Sequence, residues 1–90
     1  MRIELVHLAA LAGVAEHGSF VGAAARLGVE ATMVSRRIAS LEDIVGAPLV
    51  DRGQGGGPAT LTAAGKLVLE HAERIAAALR GVDDALDGSG

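Results

Sequence analysis

Residues 30 to 45 place hydroxyl and guanidinium groups along one side of a predicted helix. Thr32, Ser35 and Arg36 fall opposite an apolar stripe with helical spacing. A planar guanidinium donates paired hydrogen bonds to phosphate oxygens or to the O6 and N7 atoms of guanine, and a hydroxyl donates to a phosphate or a base edge. The pattern therefore indicates recognition of phosphates and bases, although Ser35, Arg36 and the neighbouring Arg37 are also compatible with an ordinary solvated helix surface.

Four further residues extend this predicted contact surface. Arg37 lies one residue further round the helix, so we expect it to reach a phosphate backbone rather than a base. Ser19 is placed as the N-cap of an earlier helix, whose free backbone N–H groups attract anions. Arg52 follows a short apolar run and is expected to point toward flanking phosphates or a minor groove. Ala31 offers only its methyl group, which suits contact with thymine.

The distribution of charge favours an anionic partner more than the net charge does. The formal net charge is −3, and the acidic excess lies in residues 70 to 90. Residues 19 to 41 carry three arginines and one acidic residue, Glu30. A local basic region in the middle of the chain is compatible with double-stranded DNA as the partner.

Other kinds of site find little support in the sequence. There is no cysteine, which excludes disulfides, thiol catalysis and cysteine-based zinc sites. The three histidines lie in different segments without metal-ligand spacing, and the glycines at 53–57 are not followed by a Walker lysine. Adjacent acidic residues such as Glu42 and Asp43 diverge on a helix, so they are interpreted as solvated surface. We therefore expect no catalytic residue, no cofactor and no metal.

The elements that position these residues are predicted from periodicity and from cap and turn residues. Helices are expected over 3–17, 20–27 and 30–45, and two short strands over 49–52 and 59–61 are joined by a glycine-rich turn. A long last helix begins after the cap residue Thr62. These elements make a mainly α winged helix-turn-helix, with a recognition helix at about 30–45 and a wing at 49–61.

The last helix carries an apolar seam. Its members alternate at spacings of four and three residues, as in a coiled coil, and are Val68, Ala72, Ile75, Leu79, Val82 and Leu86. Leu67 and Leu69 lie off this seam and are expected to pack on the domain body. The seam either joins two copies of the chain or covers the chain's own core, and the thin, alanine-rich core of a 90-residue chain favours the homodimer.

The chain is accordingly divided into three parts. Residues 1–62 form the predicted DNA-binding domain, 62–87 the linker or dimerisation helix, and 88–90 a flexible tail. No apolar run approaches the roughly 20 residues of a membrane span, and no signal-peptide cleavage site is evident. We expect a cytoplasmic protein that does not contact a membrane.

A longer string of residues resembles the N-terminal DNA-binding domain of LysR-type transcriptional regulators. The match covers residues 3 to about 80, and its segments are Leu5-x-x-Leu8, Val14-Ala15-Glu16-x-Gly18-Ser19-Phe20, Ala23-Ala24-x-Arg26-Leu27, Val34-Ser35-Arg36-x-Ile38, Leu41-Glu42, Gly46-x-Pro48-Leu49, Asp51-Arg52 and Leu61-Thr62-x-Ala64-Gly65. The resemblance implies a dimer joined through the last helix, with recognition helices in successive major grooves of an interrupted inverted repeat. It also implies that effectors bind a separate domain, so we expect no small-molecule effector site within these residues.

The sequence departs from this family pattern at two places that matter for DNA. Glu30 and Ala31 stand where the recognition helix usually opens with a serine cap and a polar residue. The wing between Arg52 and Leu61 has no further arginine. These departures and the net charge leave an alternative function open: a protein-interaction module that heterodimerises through its last helix with a full-length regulator.

Overall fold

The computed structural model describes residues 3–53 and 58–89, with the side chain of Ser89 left out. Four helices and two strands follow one another along the chain. The helices are α1 (Leu5–His17), α2 (Phe20–Leu27), α3 (Ala31–Val45) and α4 (Ala63–Ser89), and the strands between α3 and α4 are β1 (Val50–Asp51) and β2 (Thr60–Leu61). This is the predicted winged helix-turn-helix, and the recognition helix and both strands lie where the sequence places them.

The boundaries of the first three helices have local causes. Each ends at a glycine in the left-handed conformation, Gly18, Gly28 or Gly46, with φ of 68°, 70° and 81°. Residues other than glycine rarely adopt this conformation, so the chain can turn sharply at these three points. Ser19 begins α2, and its Oγ accepts a hydrogen bond from the backbone N–H of Gly22 at 2.9 Å. The sequence therefore specifies the short connections of the helix-turn-helix directly.

The core lies where α1, α2 and α3 meet. Its largest fully buried side chains are Leu11, Val14, Val34, Ile38, Leu41 and Leu49. α1 crosses α2 closely at Gly13, where a Cβ atom would lie only 3.1 Å from the Cβ of Ala23. Of the predicted apolar stripe of α3, Val34, Ile38 and Leu41 are buried and Val45 is partly buried, and the opposite face is turned outward.

The base of the wing is held by hydrogen bonds from three directions. Strands β1 and β2 are antiparallel, with Val50 opposite Leu61. The Glu42 carboxylate of α3 accepts from the backbone N–H groups of Leu49 and Val50, at 2.8 and 3.3 Å. The Thr62 hydroxyl donates to the carbonyl oxygen of Pro48 at 2.7 Å and accepts from the Gly65 N–H at 3.0 Å, which makes Thr62 the predicted cap of α4. The Glu42 side chain is therefore half-buried and bonded, and its interpretation as solvated surface was wrong.

The first turns of α4 pack on the domain body and its later turns do not. Val68 and Leu69 are partly buried against the core, and Ala72 is buried. From residue 73 to 88 every side chain is exposed. The long helix gives the molecule extents of 52 × 27 × 18 Å.

Three expectations at the chain's margins need correction or lie outside the description. α4 continues through Ser89, so residues 88 and 89 are helical rather than a flexible tail, because Gly88 does not adopt the left-handed conformation that ends the other helices. Leu67 is 59% exposed and does not pack on the body as Leu69 does, because it lies on the outer side of α4. Residues 54–57 of the predicted glycine-rich turn, which runs from Gly53 to Pro58, lie outside the described residues, as does Gly90.

Two further findings concern the described part of the chain. No helix in residues 3–53 and 58–89 combines the length and apolar character needed to cross a membrane. Within the same residues, no group of three or more histidine or acidic side chains is arranged to hold a metal ion.

Candidate nucleic-acid interface

The outer face of α3 presents the predicted recognition residues. Because Val34, Ile38 and Leu41 are buried, the side chains opposite them must face outward. Thr32 and Arg36 are exposed and Ser35 is half-buried. Arg37 is half-buried too, since it lies nearer the buried stripe. The structure therefore gives the two adjacent arginines different surroundings.

Ala31 lies at the first position of α3, next to its N-cap residue Glu30. Its methyl group is partly buried against the core, so only part of it is open to a ligand. Glu30 is exposed and makes no side-chain cap hydrogen bond. The opening of this helix thus combines a carboxylate with a small apolar side chain, as the sequence indicates.

The wing-base arginine is held against α2 and α3. The Nη1 of Arg52 donates to the Oγ of Ser35 at 3.3 Å, although the two residues are 17 positions apart. Its guanidinium carbon lies 4.5 Å from the centre of the Phe20 ring, which is within the range of a cation–π contact. The structure therefore joins two predicted contact residues, Ser35 and Arg52, and adds Phe20 beneath them.

Ser19 lies beside this group because it directly precedes Phe20. Its hydroxyl oxygen satisfies one N–H group at the start of α2, and the backbone N–H of Ala23 bonds to its carbonyl oxygen at 3.1 Å. The Ser19 side chain is half-buried. A serine in this place first stabilises the helix; the remaining N–H groups of the first turn are the ones suited to an anion.

The arginines of this surface are not neutralised by neighbouring carboxylates. Among the residues that the structure describes, the carboxylate contacts within 4.0 Å of a basic side chain involve histidines and no arginine: His7 with Glu4 and His17 with Glu16, each at 3.9 Å. Arg36, Arg37 and Arg52 therefore keep their charge available for phosphate, which makes this surface locally basic in a chain whose net charge is −3.

Sequence reasoning missed two residues that shape the interface. The sequence identifies Phe20 only as part of a motif, and it indicates a solvated position for Glu42. Both act through contacts with residues distant in the sequence, Phe20 with Arg52 and Glu42 with Leu49. The available signal was that Phe20 is the single aromatic residue of the chain and directly follows a cap serine.

A second surface, formed by α1 and α4, is apolar. An open groove of about 260 Å³ lies between them and is lined almost entirely by aliphatic side chains, among them Leu5, Leu8, Leu69, Ile75 and Leu79. On α4 the groove continues along the predicted seam. Ile75 is 41% exposed, Leu79 49% and Val82 56%. The predicted seam is therefore divided. Val68 and Ala72 cover the chain's own core, whereas Ile75, Leu79 and Val82 are exposed.

Comparison with known proteins identifies the family. The model for "Bacterial regulatory helix-turn-helix protein, lysR family" matches residues 5–66. The chain is 42% identical over 90 residues to the SDS degradation transcriptional activation protein of Pseudomonas sp., a match that covers 97% of the chain and 28% of that protein.

Two solved structures extend the match to the whole fold. Full-length LTTR LysG from Corynebacterium glutamicum, with bound effector Arg, superposes with a TM-score of 0.89 at 30% identity, covering 97% of this chain and 29% of that one. The protein in the CbnR_DBD–DNA complex superposes with a TM-score of 0.83 at 34% identity, covering 98% of this chain and 100% of that one. The chain thus spans less than a third of the length of its longer relatives. It belongs to the LysR family of bacterial regulatory helix-turn-helix proteins.

Proposed function

We propose that this chain binds double-stranded DNA sequence-specifically and does so as a homodimer that regulates transcription. In this proposal α3 enters the major groove, the wing at 49–61 lies on the flanking backbone, and α4 pairs with α4 of a second copy. The family and the named relatives support DNA-binding regulation. The contact residues and the dimer are inferred from the surfaces of α3, the wing base and α4.

The observation that carries the proposal is the convergence of donor groups on one face. Thr32, Ser35 and Arg36 project from α3, and Arg52 reaches the same helix from the wing. We assign Arg36 to base reading, Arg37 and Arg52 to the backbone, and Ser19 to a phosphate at the start of α2. The likeness to CbnR_DBD, which is solved in complex with DNA, supports this orientation of the domain.

The dimer part of the proposal rests on the open turns of α4. Ile75, Leu79 and Val82 form an exposed apolar stripe with coiled-coil spacing, and such patches mark association surfaces when they are contiguous. A two-fold symmetric pairing would cover the stripe of both copies. It would also hold two recognition helices at a fixed separation, which suits an interrupted inverted repeat.

The proposal is tested by selecting bound duplexes from a random library with the wild-type chain and then measuring variants on the selected duplex. Arg36→Ala is expected to weaken specific binding by about 1–3 kcal/mol and to relax base preference at one position per half-site. Arg37→Ala is the matched control and is expected to weaken selected and scrambled duplexes equally, because it contacts phosphate. Equal loss on both duplexes in Arg36→Ala would contradict base reading, and failure to select any duplex would overturn the function.

A second candidate function is favoured by the same open stripe on α4. In this alternative the chain pairs with the corresponding helix of a full-length regulator and prevents that regulator from binding DNA. The net charge of −3 and the uncharged wing sequence between Gly53 and Leu61 favour it. A DNA-binding assay distinguishes the two candidates. A chain that acts as an interaction module binds no duplex alone, and it reduces DNA binding by a full-length relative when the two are mixed.

A further inference from the structure

Arg52 is a long, exposed side chain whose position is nevertheless defined by two contacts. Its guanidinium lies on the Phe20 ring at 4.5 Å and donates to Ser35 at 3.3 Å. We propose that Phe20 is a positioning residue for DNA binding, which orders Arg52 and Ser35 before DNA arrives. This inference rests on the proposed function and adds Phe20 to the residues that serve DNA binding.

The three residues come from three different elements. Phe20 is the first residue of α2, Ser35 lies on the outer face of α3, and Arg52 directly follows β1. Phe20 is itself partly buried against the core, so its ring is a fixed platform rather than a mobile partner. No carboxylate pairs with Arg52 among the described residues, so the stacked guanidinium keeps its charge and further N–H groups for a phosphate.

The contact also determines which hydrogen-bonding role the Ser35 hydroxyl plays toward Arg52. A guanidinium has only donors, so in the Arg52–Ser35 bond the Ser35 oxygen must be the acceptor. The Ser35 hydroxyl hydrogen is then left to point to an acceptor on the ligand. Phosphate oxygens, guanine O6, thymine O4 and the N7 atoms of guanine and adenine satisfy it, whereas the amino groups of adenine and cytosine do not.

The Phe20 contact is expected to raise DNA affinity because the Arg52 side chain is already ordered before DNA binds. Immobilising one flexible side chain on binding weakens affinity by about 2- to 10-fold. Because the Phe20 ring already restricts Arg52 in the free chain, DNA binding avoids most of that loss. Each half-site carries one copy of the contact, so the effect is multiplied on a two-half-site duplex.

The experiment is a double-mutant cycle between Phe20→Leu and Arg52→Ala, measured on a duplex selected from a random library. Phe20→Leu keeps an apolar side chain on the core and removes the ring; Phe20→Tyr keeps the ring. Val21→Ala is the control, because Val21 is the next residue of α2 and is 71% exposed. Arg52→Lys tests the contact without altering the core, since lysine keeps the charge and loses the planar group. Thermal unfolding is measured for every variant.

We expect Phe20→Leu and Arg52→Lys each to weaken binding by about 2- to 10-fold per half-site, with Phe20→Tyr and Val21→Ala unchanged. In the Arg52→Ala background, Phe20→Leu should have no further effect on affinity. Equal effects of Phe20→Leu in both backgrounds would overturn the proposal, as would tighter binding, which would mean that the contact restrains Arg52 away from DNA. If Phe20→Leu does not fold, the Arg52→Lys variant decides: DNA affinity equal to that of the wild-type chain would overturn the proposal.

A second readout needs no DNA and separates this inference from the proposed function. In the free wild-type chain, NMR signals of the Arg52 side chain should be shifted by the Phe20 ring current and should show restricted motion. Both signatures should disappear in Phe20→Leu and persist in Phe20→Tyr. A freely rotating Arg52 in the wild-type chain would contradict the inference even if the chain binds DNA.

Discussion

The two ends of α4 carry the same spacing of apolar residues but lie in opposite surroundings. Near the start, Gly65 and Ala72 are buried against the body, and Val68 is partly buried. Farther along, Leu79 and Val82 continue the seam and are exposed. Periodicity identifies which residues share a face of a helix, but it does not identify what covers that face. In this chain the start of the seam packs on the domain body, and its later part forms an exposed surface.

The largest expected effect would come from a charge in the open part of the seam. Leu79→Asp should leave the winged body folded and abolish dimerisation, because pairing would bury an unpaired carboxylate at a cost of several kcal/mol. DNA affinity should fall sharply as well, since two half-sites would no longer be bound by one linked unit. Sedimentation and far-UV circular dichroism measure the two quantities separately.

Leu67→Asp is the matched control for this change. Leu67 is an exposed leucine of the same helix that lies off the seam, so the same substitution should leave the dimer intact. A wild-type chain that sediments as a monomer at about 100 μM would remove the dimer hypothesis. An unfolded Leu79→Asp chain would show that the later turns of α4 belong to the internal core.

A smaller but still large effect is expected at the attached end of the helix. In Gly65→Ala the new Cβ would collide with the carbonyl oxygen of Leu49, which is backbone and cannot rotate away. We expect the free energy of unfolding to fall by about 1–3 kcal/mol, as for other overpacked sites. Urea denaturation followed by circular dichroism tests this value. A chain of unchanged stability would mean that α4 can shift away from the wing base.

The smallest effect is the same substitution at the open end. Nothing lies within 4 Å of a Cβ atom built on Gly81, and alanine favours the helix more than glycine does. Gly81→Ala should therefore raise the helix content of α4 and stabilise it by about 0.5–1 kcal/mol. Hydrogen exchange of the backbone amides around residue 81 should slow. Destabilisation here would show that the later turns of α4 are packed against something that the open surface does not reveal.

The local features of the fold were predictable from the sequence and the long-range ones were not. The stripe Val34, Ile38 and Leu41, the glycines that end the helices and the cap residue Thr62 all depend on neighbours within a few positions. These local features predict the helices and strands, and the resemblance to LysR-type regulators predicts how they are arranged. The outward face of α3 followed from the same periodicity.

The missed parts of the interface all join residues that the chain brings together only on folding. The Arg52 guanidinium was expected to reach outward, and it does remain exposed, but Phe20 and Ser35 hold it. Glu42 is interpreted as solvated surface because adjacent acidic residues diverge on a helix, yet its carboxylate accepts hydrogen bonds from two backbone N–H groups at the base of the wing. Pairings of this kind depend on the angle between elements, which no local pattern encodes.

The peptide groups of Leu49 connect three elements through hydrogen bonds. Its N–H donates to Glu42 of α3 at 2.8 Å, and its carbonyl oxygen accepts from the N–H of Thr62 at 3.0 Å, directly before α4. α4 is a stiff rod about 40 Å long, so a lateral displacement of about 5 Å at its far end equals a rotation of about 7° at this joint. Leu49 thus bonds both to α3 and to the residue that precedes α4, so a rotation of α4 about this point would act directly on the position of α3.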